Sequence, residues 1–348
     1  MNDATERANT PKRRAKVIAV ASGVFVVAIL LLGYAGWRNL SSAPAEAVER
    51  LSIALPIVPH GSLLHIAAAK GYFAEEGLDL AIAPTTHGKA AMELMLQGKT
   101  DLAAAADVVF TLAVMKGENL GTAASVLSVA NDNAVVARRD RGIAAPRDLA
   151  GKKIGATFGT GGEYFLWAFL IRHKLPTESI ELVDLPPGEI AQELAKGTVD
   201  AIATWQPVVF GAQAALGENA VTLSEPNAYA LSFVVAGRSG FLKARPKAIE
   251  KLVRALLKAE QFSRAQPEQA LMLVAGWLKI DLETMRPTWL DFHFKVDQLQ
   301  SQLVTLEDQA RWAMARGYVE TRPVPNFLPN LYLDALLAVR PERVTVVR

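Results

Sequence analysis

Short polar segments follow several of the predicted strands, and their side chains suit ligand binding better than covalent chemistry. The first is Pro59-His60-Gly61-Ser62, which ends a strand pattern and opens a helix pattern. Ser62 is expected to cap that helix, whose free N–H groups suit an anion, and His60 can donate a hydrogen bond to the same anion. The alternative is a purely structural cap beside a solvated histidine.

Two further polar segments follow the next two strand patterns. Thr86 and His87 precede a helix start at Gly88 and offer a hydroxyl and an imidazole to polar ligand atoms. Thr86 is equally suited to cap that helix. Asp107 also stands at the start of a helix pattern, where its simplest role is that of an N-cap. If it faces a cleft instead, its carboxylate favours a ligand amine.

The segment Gly159-Thr160-Gly161-Gly162-Glu163 combines bare backbone with the start of a helix. Free N–H groups with a helix dipole behind them form a cradle for an anion, so Thr160, Gly161 and Gly162 are predicted to contact the ligand. The segment lacks the Gly-x4-Gly-Lys-Ser/Thr pattern of a nucleotide-binding loop. Glu163 is predicted either to contact the ligand or to compensate the helix dipole.

Trp205, Gln206 and Tyr229 are the remaining candidate contacts. Trp205 and Gln206 follow a predicted strand, and an indole beside an amide suits stacking on, and hydrogen bonding to, a planar or polar ligand. The alternative for Trp205 is packing in the protein interior. Tyr229 precedes a predicted strand and is expected to reach the same cleft.

Neither the composition nor the motifs of the chain indicate a catalytic site or a metal site. The chain has no cysteine, and its five histidines form none of the spacings typical of metal sites. No carboxylate pair and no Gly-x-Ser-x-Gly motif marks an acid–base couple or a nucleophile. Residues 1–38 carry a net charge of +4 and the remaining chain −2, which argues against nucleic acid as a partner. We therefore expect a binding protein without cofactor or metal, and not an enzyme.

Alternating strands and helices position these polar segments. Between Leu51 and Leu216, short apolar strand patterns alternate with helix patterns, which predicts an α/β fold whose lobes contain parallel sheets. Ligands of such sheets bind beyond the carboxyl ends of the strands, where the candidate segments lie. After Gly237 helix patterns dominate, and this helical C-terminal segment is expected to pack around one lobe.

Four motifs in order along the chain resemble the nitrate-, sulfonate- and taurine-type (NMT1/THI5-like) solute-binding proteins of ABC transporters. They are Ala67–Leu78 (AAAKGYFAEEGL), Asp101–Ala105, Gly159–Leu166 and Gly197–Pro207. The resemblance spans about residues 51–345. It implies the two-lobed type II periplasmic-binding-protein fold, with two crossover hinge strands and the ligand in the cleft. Gln206 stands where the family usually has Glu, which favours an anionic or neutral ligand.

The resemblance also implies a function. The chain is expected to capture a small polar or anionic organic compound by lobe closure, and to deliver it to an ABC permease and its ATPase. It is expected to act as a monomer in the periplasm or another extracytoplasmic space. Two alternatives stay open: a membrane-tethered ligand-sensing ectodomain, and a binder of thiamine-pyrimidine precursors.

The N-terminal sequence predicts export from the cytoplasm. A basic segment, residues 1–16, precedes an apolar stretch at residues 17–37, which is predicted to be a transmembrane anchor in the inner membrane or, alternatively, a signal peptide. Residues 38–50 are predicted to be a linker. One lobe is expected to comprise residues 51–131 and 237–348, and the other residues 135–233, because strand patterns at Asn133–Arg138 and Ser232–Gly237 bracket the second lobe.

Overall fold

The computed structural model describes residues 48–226 and 228–347, which form two β-sheets covered by helices. The strands are β1 Glu49–Pro56, β2 Leu78–Thr85, β3 Leu102–Ala106, β4 Leu120–Val129, β5 Asn133–Arg138, β6 Lys153–Ala156, β7 Glu181–Asp184, β8 Ala201–Trp205, β9 Ala220–Leu223, β10 Leu231–Arg238 and β11 His293–Asp297.

The helices that pack on these strands are α1 Ser62–Ala69, α2 Tyr72–Glu75, α3 Gly88–Leu96, α4 Asp107–Met115, α5 Gly161–Arg172, α6 Ile190–Lys196, α7 Val208–Leu216, α8 Ser239–Ala244, α9 Pro246–Ala265, α10 Pro267–Leu278, α11 Leu282–Asp291, α12 Gln300–Ala315 and α13 Asp334–Val339.

Each sheet joins a parallel part to antiparallel strands. The first sheet has the order β11-β4-β10-β3-β1-β2, and the second β7-β6-β8-β5-β9. In the first, β1 is parallel to β2 and β3, while β10 is antiparallel to β3 and β4. In the second, β6 is parallel to β7 and β8, while β5 is antiparallel to β8 and β9. The predicted parallel pairing therefore holds for three strands per sheet. The chain leaves the first sheet through β4 and returns to it through β10, and these two strands are antiparallel to each other. It enters the second sheet through β5 and leaves it through β9, which are likewise antiparallel.

Two glycines let helices begin directly against the strands. A Cβ atom at Gly88 would lie 3.0 Å from Ala105 Cα, and one at Gly162 would lie 2.7 Å from the carbonyl oxygen of Ala203. Only glycine fits at such close approaches. The N-termini of α3 and α5 are thereby held beside the carboxyl ends of β3 and β8, where a ligand would meet them.

The C-terminal helices pack mainly on the first sheet and its helices. Helix α9 buries one face against α1, α13 and β11, and α12 packs against α4. The side chain of Trp312 on α12 is fully buried, as its helical spacing predicts. The helix pattern predicts an interior position for Trp277 as well, but this is wrong: Trp277 on α10 is 45% exposed, and its ring lies 5.6 Å from that of His65.

Several sequence expectations fall outside what the structure describes or differ from it. The predicted anchor at residues 17–37 lies outside the described residues, within which no helix is both long and apolar enough to cross a membrane. Strands β9 and β11 were not predicted from the sequence. The proposed lobe boundaries stay a prediction, and β10, which starts at Leu231, pairs with the first sheet.

Candidate functional site

The carboxyl ends of the parallel strands border one cleft, with an empty volume of about 450 Å³. The first sheet and its helices contribute Val58, His60, His87, Gly88, Lys89, Ala106, Val109, Leu231 and Phe233, and the second contributes Asn133, Thr160, Gly161 and Trp205. Asp132 belongs to the connection between β4 and β5. Open α/β sheets bind ligands at this position because the strand ends and helix N-termini converge there.

His60, Asp132 and Asn133 form a buried polar group in the cleft, named the hinge cluster below. Their exposed fractions are 3%, 2% and 6%. Nε2 of His60 lies 2.9 Å from Oδ2 of Asp132. The ring N–H is not directed at that oxygen, however. Among the described residues, neither carboxylate oxygen of Asp132 and neither amide atom of Asn133 has a hydrogen-bond partner. We therefore treat the contact with His60 as a close electrostatic approach rather than a hydrogen bond.

Backbone and ring contacts hold the hinge cluster in place although its polar atoms lack partners. The His60 ring lies 5.6 Å from the Phe233 ring and 5.2 Å from the Phe292 ring. The carbonyl of Asp132 accepts the N–H of Gln206 at 3.1 Å. Asn133 opens β5 and pairs with Trp205 of β8. The side chains are thus presented from fixed backbone, as a preorganised site requires.

The start of α3 supplies basic side chains to the cleft. Nζ of Lys89 donates to the carbonyl of Phe158 at 3.2 Å, and so reaches from a first-sheet helix to the loop that follows β6. Burial, and then the positive charge of Lys89, lower the pKa of His87, so its imidazole is neutral at pH 7. Nδ1 of His87 lies 2.8 Å from the hydroxyl oxygen of the exposed Thr86. Thr86 does not line the cleft itself.

Apolar side chains complete the cleft wall. Val58, Val109, Leu231 and Phe233 line it on the first-sheet side, and the indole of Trp205 lines it on the other. A cleft with a few polar groups set among apolar walls is typical of small-molecule sites. We infer that it suits a ligand with an apolar portion as well as polar ends.

The structure brings five of the predicted contacts together in this cleft and places the others beside it. His60, His87, Thr160, Gly161 and Trp205 are cleft-lining residues. The hydroxyl of Thr160 donates to the carbonyl of Thr157 at 2.6 Å, so toward a ligand this oxygen can act as an acceptor.

Gly61 and Ser62 shape the turn after β1 and do not line the cleft. The buried hydroxyl of Ser62 donates to the carbonyl of Pro59 instead of capping a free N–H group. A Cβ atom at Gly61 would lie 2.8 Å from Cδ1 of Leu55. Both residues therefore set the position of His60.

Asp107 and Tyr229 form a hydrogen bond with each other and do not line the cleft. The Tyr229 hydroxyl donates to Oδ1 of Asp107, which also accepts the N–H of Val108 at 2.9 Å. Oδ2 of Asp107 accepts the N–H of Ser232 at 3.2 Å. Burial raises the pKa of Asp107 to about 6 although these donors act in the opposite direction. Because the carboxylate of Asp107 already accepts hydrogen bonds from internal donors, the structure does not support the expectation that it binds a ligand amine.

Glu163 ties the glycine-rich loop to the C-terminal segment. Its Oε2 accepts the N–H of Gly159 at 2.7 Å and the hydroxyl of Tyr318 at 2.5 Å, and its Oε1 accepts Nε of Arg316 at 3.0 Å. Glu163 is only 1% exposed. The buried carboxylate therefore organises the loop and compensates the helix dipole of α5, while Gly162 packs against β8.

Gln206 lines a neighbouring cavity of about 240 Å³ together with Asp132, Phe210 and Phe292. Its Oε1 accepts the N–H of Phe210 at 3.4 Å. The amide thus lies next to the hinge cluster but outside the main cleft.

Three polar cleft residues were not predicted from the sequence, namely Lys89, Asp132 and Asn133. A signal existed for the last two, because they stand at the junction of two strand patterns, where polar side chains meet a cleft. Lys89 stands two residues after the predicted contact His87. Within residues 48–226 and 228–347, no group of three or more His, Asp or Glu side chains is arranged to hold a metal ion.

Residues 59–270, more than half of the 348-residue chain, match the family described as NMT1/THI5 like. The chain belongs to this family. The family resemblance predicted from the four motifs is thereby confirmed. A Brucella abortus (strain 2308) protein named as a binding protein is 24% identical over 227 residues, which cover 63% of this chain and 68% of the relative.

Solved structures share the fold. The alkanesulfonate-binding protein SsuA from Xanthomonas axonopodis pv. citri, bound to MOPS, has a TM-score of 0.73 at 17% identity, covering 83% of this chain and 99% of its own. The periplasmic nitrate-binding protein NrtA from Synechocystis PCC 6803 has a TM-score of 0.70 at 12% identity, covering 85% and 89%. The desulfurization enzyme DszB has a TM-score of 0.57 at 17% identity, covering 84% and 100%. The predicted periplasmic-binding-protein fold is confirmed.

Proposed function

We propose that the chain is the extracytoplasmic solute-binding component of an ABC importer. It captures a small polar or anionic organic compound in the cleft and delivers it to a permease and its ATPase. The observation that carries this proposal is the cleft itself. Two sheets place the carboxyl ends of their parallel strands around it, and in the described residues the β4–β5 and β9–β10 connections carry the chain from one sheet to the other.

The similar structures support the ligand class. Those whose names include alkanesulfonate and nitrate share this fold over more than four fifths of the chain. Lys89 and the free backbone at the start of α5 suit the anionic end of such a compound. The apolar wall around Phe233 and Trp205 suits its organic portion.

Lobe closure is the expected response to the ligand. The contact from Lys89 to Phe158 and the ion pair of Glu163 with Arg316 join the two halves in this structure. Opening would break these contacts, and a ligand that touches both halves would favour their formation. Small-angle scattering of the full chain is expected to give a smaller radius of gyration with ligand than without.

Location and partners follow from the same proposal. The cleft domain would lie in the periplasm as a monomer, held to the inner membrane by residues 17–37 or released after cleavage there. The basic segment before that stretch keeps the N-terminus cytoplasmic.

We further propose that the chain is not an enzyme. One similar structure is the enzyme DszB, so the fold alone does not decide this point. The cleft-lining residues include neither Ser nor Cys, and the hydroxyl proton of Thr160 is donated to Thr157. His60 therefore has no activated nucleophile beside it.

A thermal-shift screen of the purified full chain tests the proposed function. The panel comprises alkanesulfonates, taurine, MOPS, nitrate, aromatic acids and thiamine-pyrimidine precursors, in a buffer free of sulfonates. A true ligand at 100 times its Kd stabilises the folded chain by about 2.7 kcal/mol. The same compound must be recovered unchanged after prolonged incubation. No stabilisation by any member of the panel would contradict the proposal, and turnover of a bound compound would contradict the assignment as a non-enzyme.

A further inference from the structure

The side chain of Asp132 has no accessible surface and lines the cleft. Both of its carboxylate oxygens lack a hydrogen-bond partner among the described residues, as do both amide atoms of the adjacent Asn133. Elsewhere in residues 48–226 and 228–347, buried carboxylates have hydrogen-bond donors or a neighbouring cation. Asp107 and Glu163 each accept several hydrogen bonds from internal donors.

A buried carboxylate without donors is costly. Burial removes the hydration of the anion, and only hydrogen bonds or an opposite charge compensate for that loss. His60 lies 2.9 Å away but does not direct its N–H at Asp132. A donor can reach the carboxylate from the main cleft, which Asp132 lines together with Lys89 and Asn133, or from the neighbouring cavity beside Gln206. A carboxylate accepts only, so the matching ligand group must carry N–H or O–H protons.

We propose that Asp132, with Asn133, determines ligand specificity by binding a protonated amine or a similar cationic N–H group of the solute. The inference rests on the proposed function and narrows its ligand class. The solute carries an N–H donor for the hinge cluster and an anionic or acceptor end for Lys89 and Thr160–Gly161. A strictly anionic compound leaves the oxygens of Asp132 without a hydrogen-bond donor and adds a like charge near them, so it binds more weakly.

The charges along the cleft wall agree with a solute of this kind. Lys89 is the cationic side chain of the cleft, and it lies on α3, whereas Asp132 lies on the connection between β4 and β5. Oδ1 of Asn133 lies 3.7 Å from the Cβ position of Gly161. A site with one anion, one cation and a neutral amide complements a zwitterion better than a simple anion.

The position of Asp132 also links recognition to movement. It lies in the three-residue connection that carries the chain from the first sheet to the second, and its carbonyl accepts the N–H of Gln206 beyond β8. A ligand amine held by Asp132 is therefore held at the hinge itself.

Matched pairs of probes test the proposal on the full chain by calorimetric titration. The pairs are 3-aminopropane-1-sulfonate with propane-1-sulfonate, and 4-(aminomethyl)benzoate with 4-methylbenzoate, which differ in one amino group. In at least one pair the amine is expected to bind about 10- to 100-fold more tightly, the range of hydrogen bonds to a charged group. In Asp132→Asn that preference is expected to disappear, while the amine-free compound binds as well as before or better.

Asp101→Asn is the matched control. Asp101 lies outside the cleft, and its Oδ2 accepts the N–H and the hydroxyl of Ser52 at 2.8 and 2.7 Å. It is expected to lower the melting temperature and to leave the preference for the amine unchanged.

The outcomes separate the two proposals. If both members of each pair bind equally and Asp132→Asn changes nothing, the specificity inference is wrong and the proposed function stands. If Asp132→Asn lowers stability as Asp101→Asn does and keeps the amine preference, Asp132 is only the electrostatic partner of His60, and the inference is again wrong. If no probe and no member of the screening panel binds, the proposed function fails and the inference fails with it.

Discussion

Two groups of buried polar side chains lie next to the cleft and differ in how their polar atoms are satisfied. In the partnered group, which comprises Asp107 with Tyr229 and Glu163 with Arg316 and Tyr318, each carboxylate oxygen accepts at least one hydrogen bond. In the hinge cluster, the oxygens of Asp132 accept none from the described residues. The carboxylates of the two groups are similarly buried. We therefore infer that the partnered group stabilises the fold, whereas the hinge cluster is available to a ligand.

Substitution at the boundary between the groups is expected to have the largest effect. A Cβ atom at Gly161 would lie 3.1 Å from a Tyr229 ring carbon and 3.7 Å from Oδ1 of Asn133. Gly161→Val adds two further methyl groups there and fills the ligand space, so affinity for a panel ligand should fall more than about 100-fold, with about 1–3 kcal/mol of stability lost to overpacking. The backbone φ of Gly161 is not among the positive values, so the effect is one of space rather than backbone strain.

Gly211→Val controls for the change of residue type. Gly211 lies on the exposed side of α7 with no atom within 4 Å of its Cβ position. It should leave affinity and stability nearly unchanged. Wild-type affinity in Gly161→Val, measured by titration calorimetry, would place the ligand elsewhere.

The second prediction concerns Glu163, the carboxylate that binds Arg316 and Tyr318 in the partnered group. Glu163→Ala leaves Arg316, Tyr318 and the N–H of Gly159 without their acceptor. Because Arg316 can turn to solvent, we expect a loss of about 2–4 kcal/mol of unfolding free energy in urea rather than the full cost of an isolated buried charge. Glu307→Ala, at an exposed ion pair with Arg311, should cost less than about 0.5 kcal/mol. Equal losses for the two variants would show that Glu163 is not structural.

The third prediction concerns pH. Burial raises the pKa of Asp107 from its ordinary value of 3.8 to about 6, so between these values the folded state binds more protons than the unfolded state. The contribution of Asp107 to stability is therefore present below pH 4 and declines as the pH rises through 6. Relative to Asp107→Asn, the wild-type chain should lose about 2 kcal/mol between pH 4 and pH 7. Urea unfolding at both pH values measures this difference, and parallel pH profiles of the two chains would refute the assignment.

The fourth prediction is the smallest in the partnered group. Tyr229→Phe removes one donor from Asp107 while keeping the ring that packs edge-on against Tyr164 at 4.9 Å. The unfolding free energy at pH 7 should fall by about 1–2 kcal/mol, because a charged acceptor loses a hydrogen bond. At pH 4, where Asp107 is protonated, the loss should be smaller. A loss independent of pH would indicate that the hydroxyl matters for packing only.

Sequence patterns predicted the elements well but not the state of their polar side chains. Strand β5 begins and ends where the pattern at Asn133–Arg138 placed it. The division between the two polar groups could not be predicted, because each bond depends on residues far apart in the chain. Tyr229 meets Asp107 across 122 positions, and Arg316 meets Glu163 across 153. Asp107 and Glu163 were therefore candidates for ligand contact, and Asp132 was overlooked.

We infer that Asp132 contributes to ligand binding and does not stabilise the fold. Its most direct test measures two quantities on Asp132→Asn and wild type: the unfolding free energy of the ligand-free full chain in urea, and the Kd of the tightest amine-bearing ligand. We predict that the unfolding free energy stays equal or rises by up to about 2 kcal/mol, since a buried carboxylate without hydrogen-bond donors is removed, while the Kd increases at least about tenfold. A variant that is less stable than wild type and binds that ligand with unchanged Kd would contradict it.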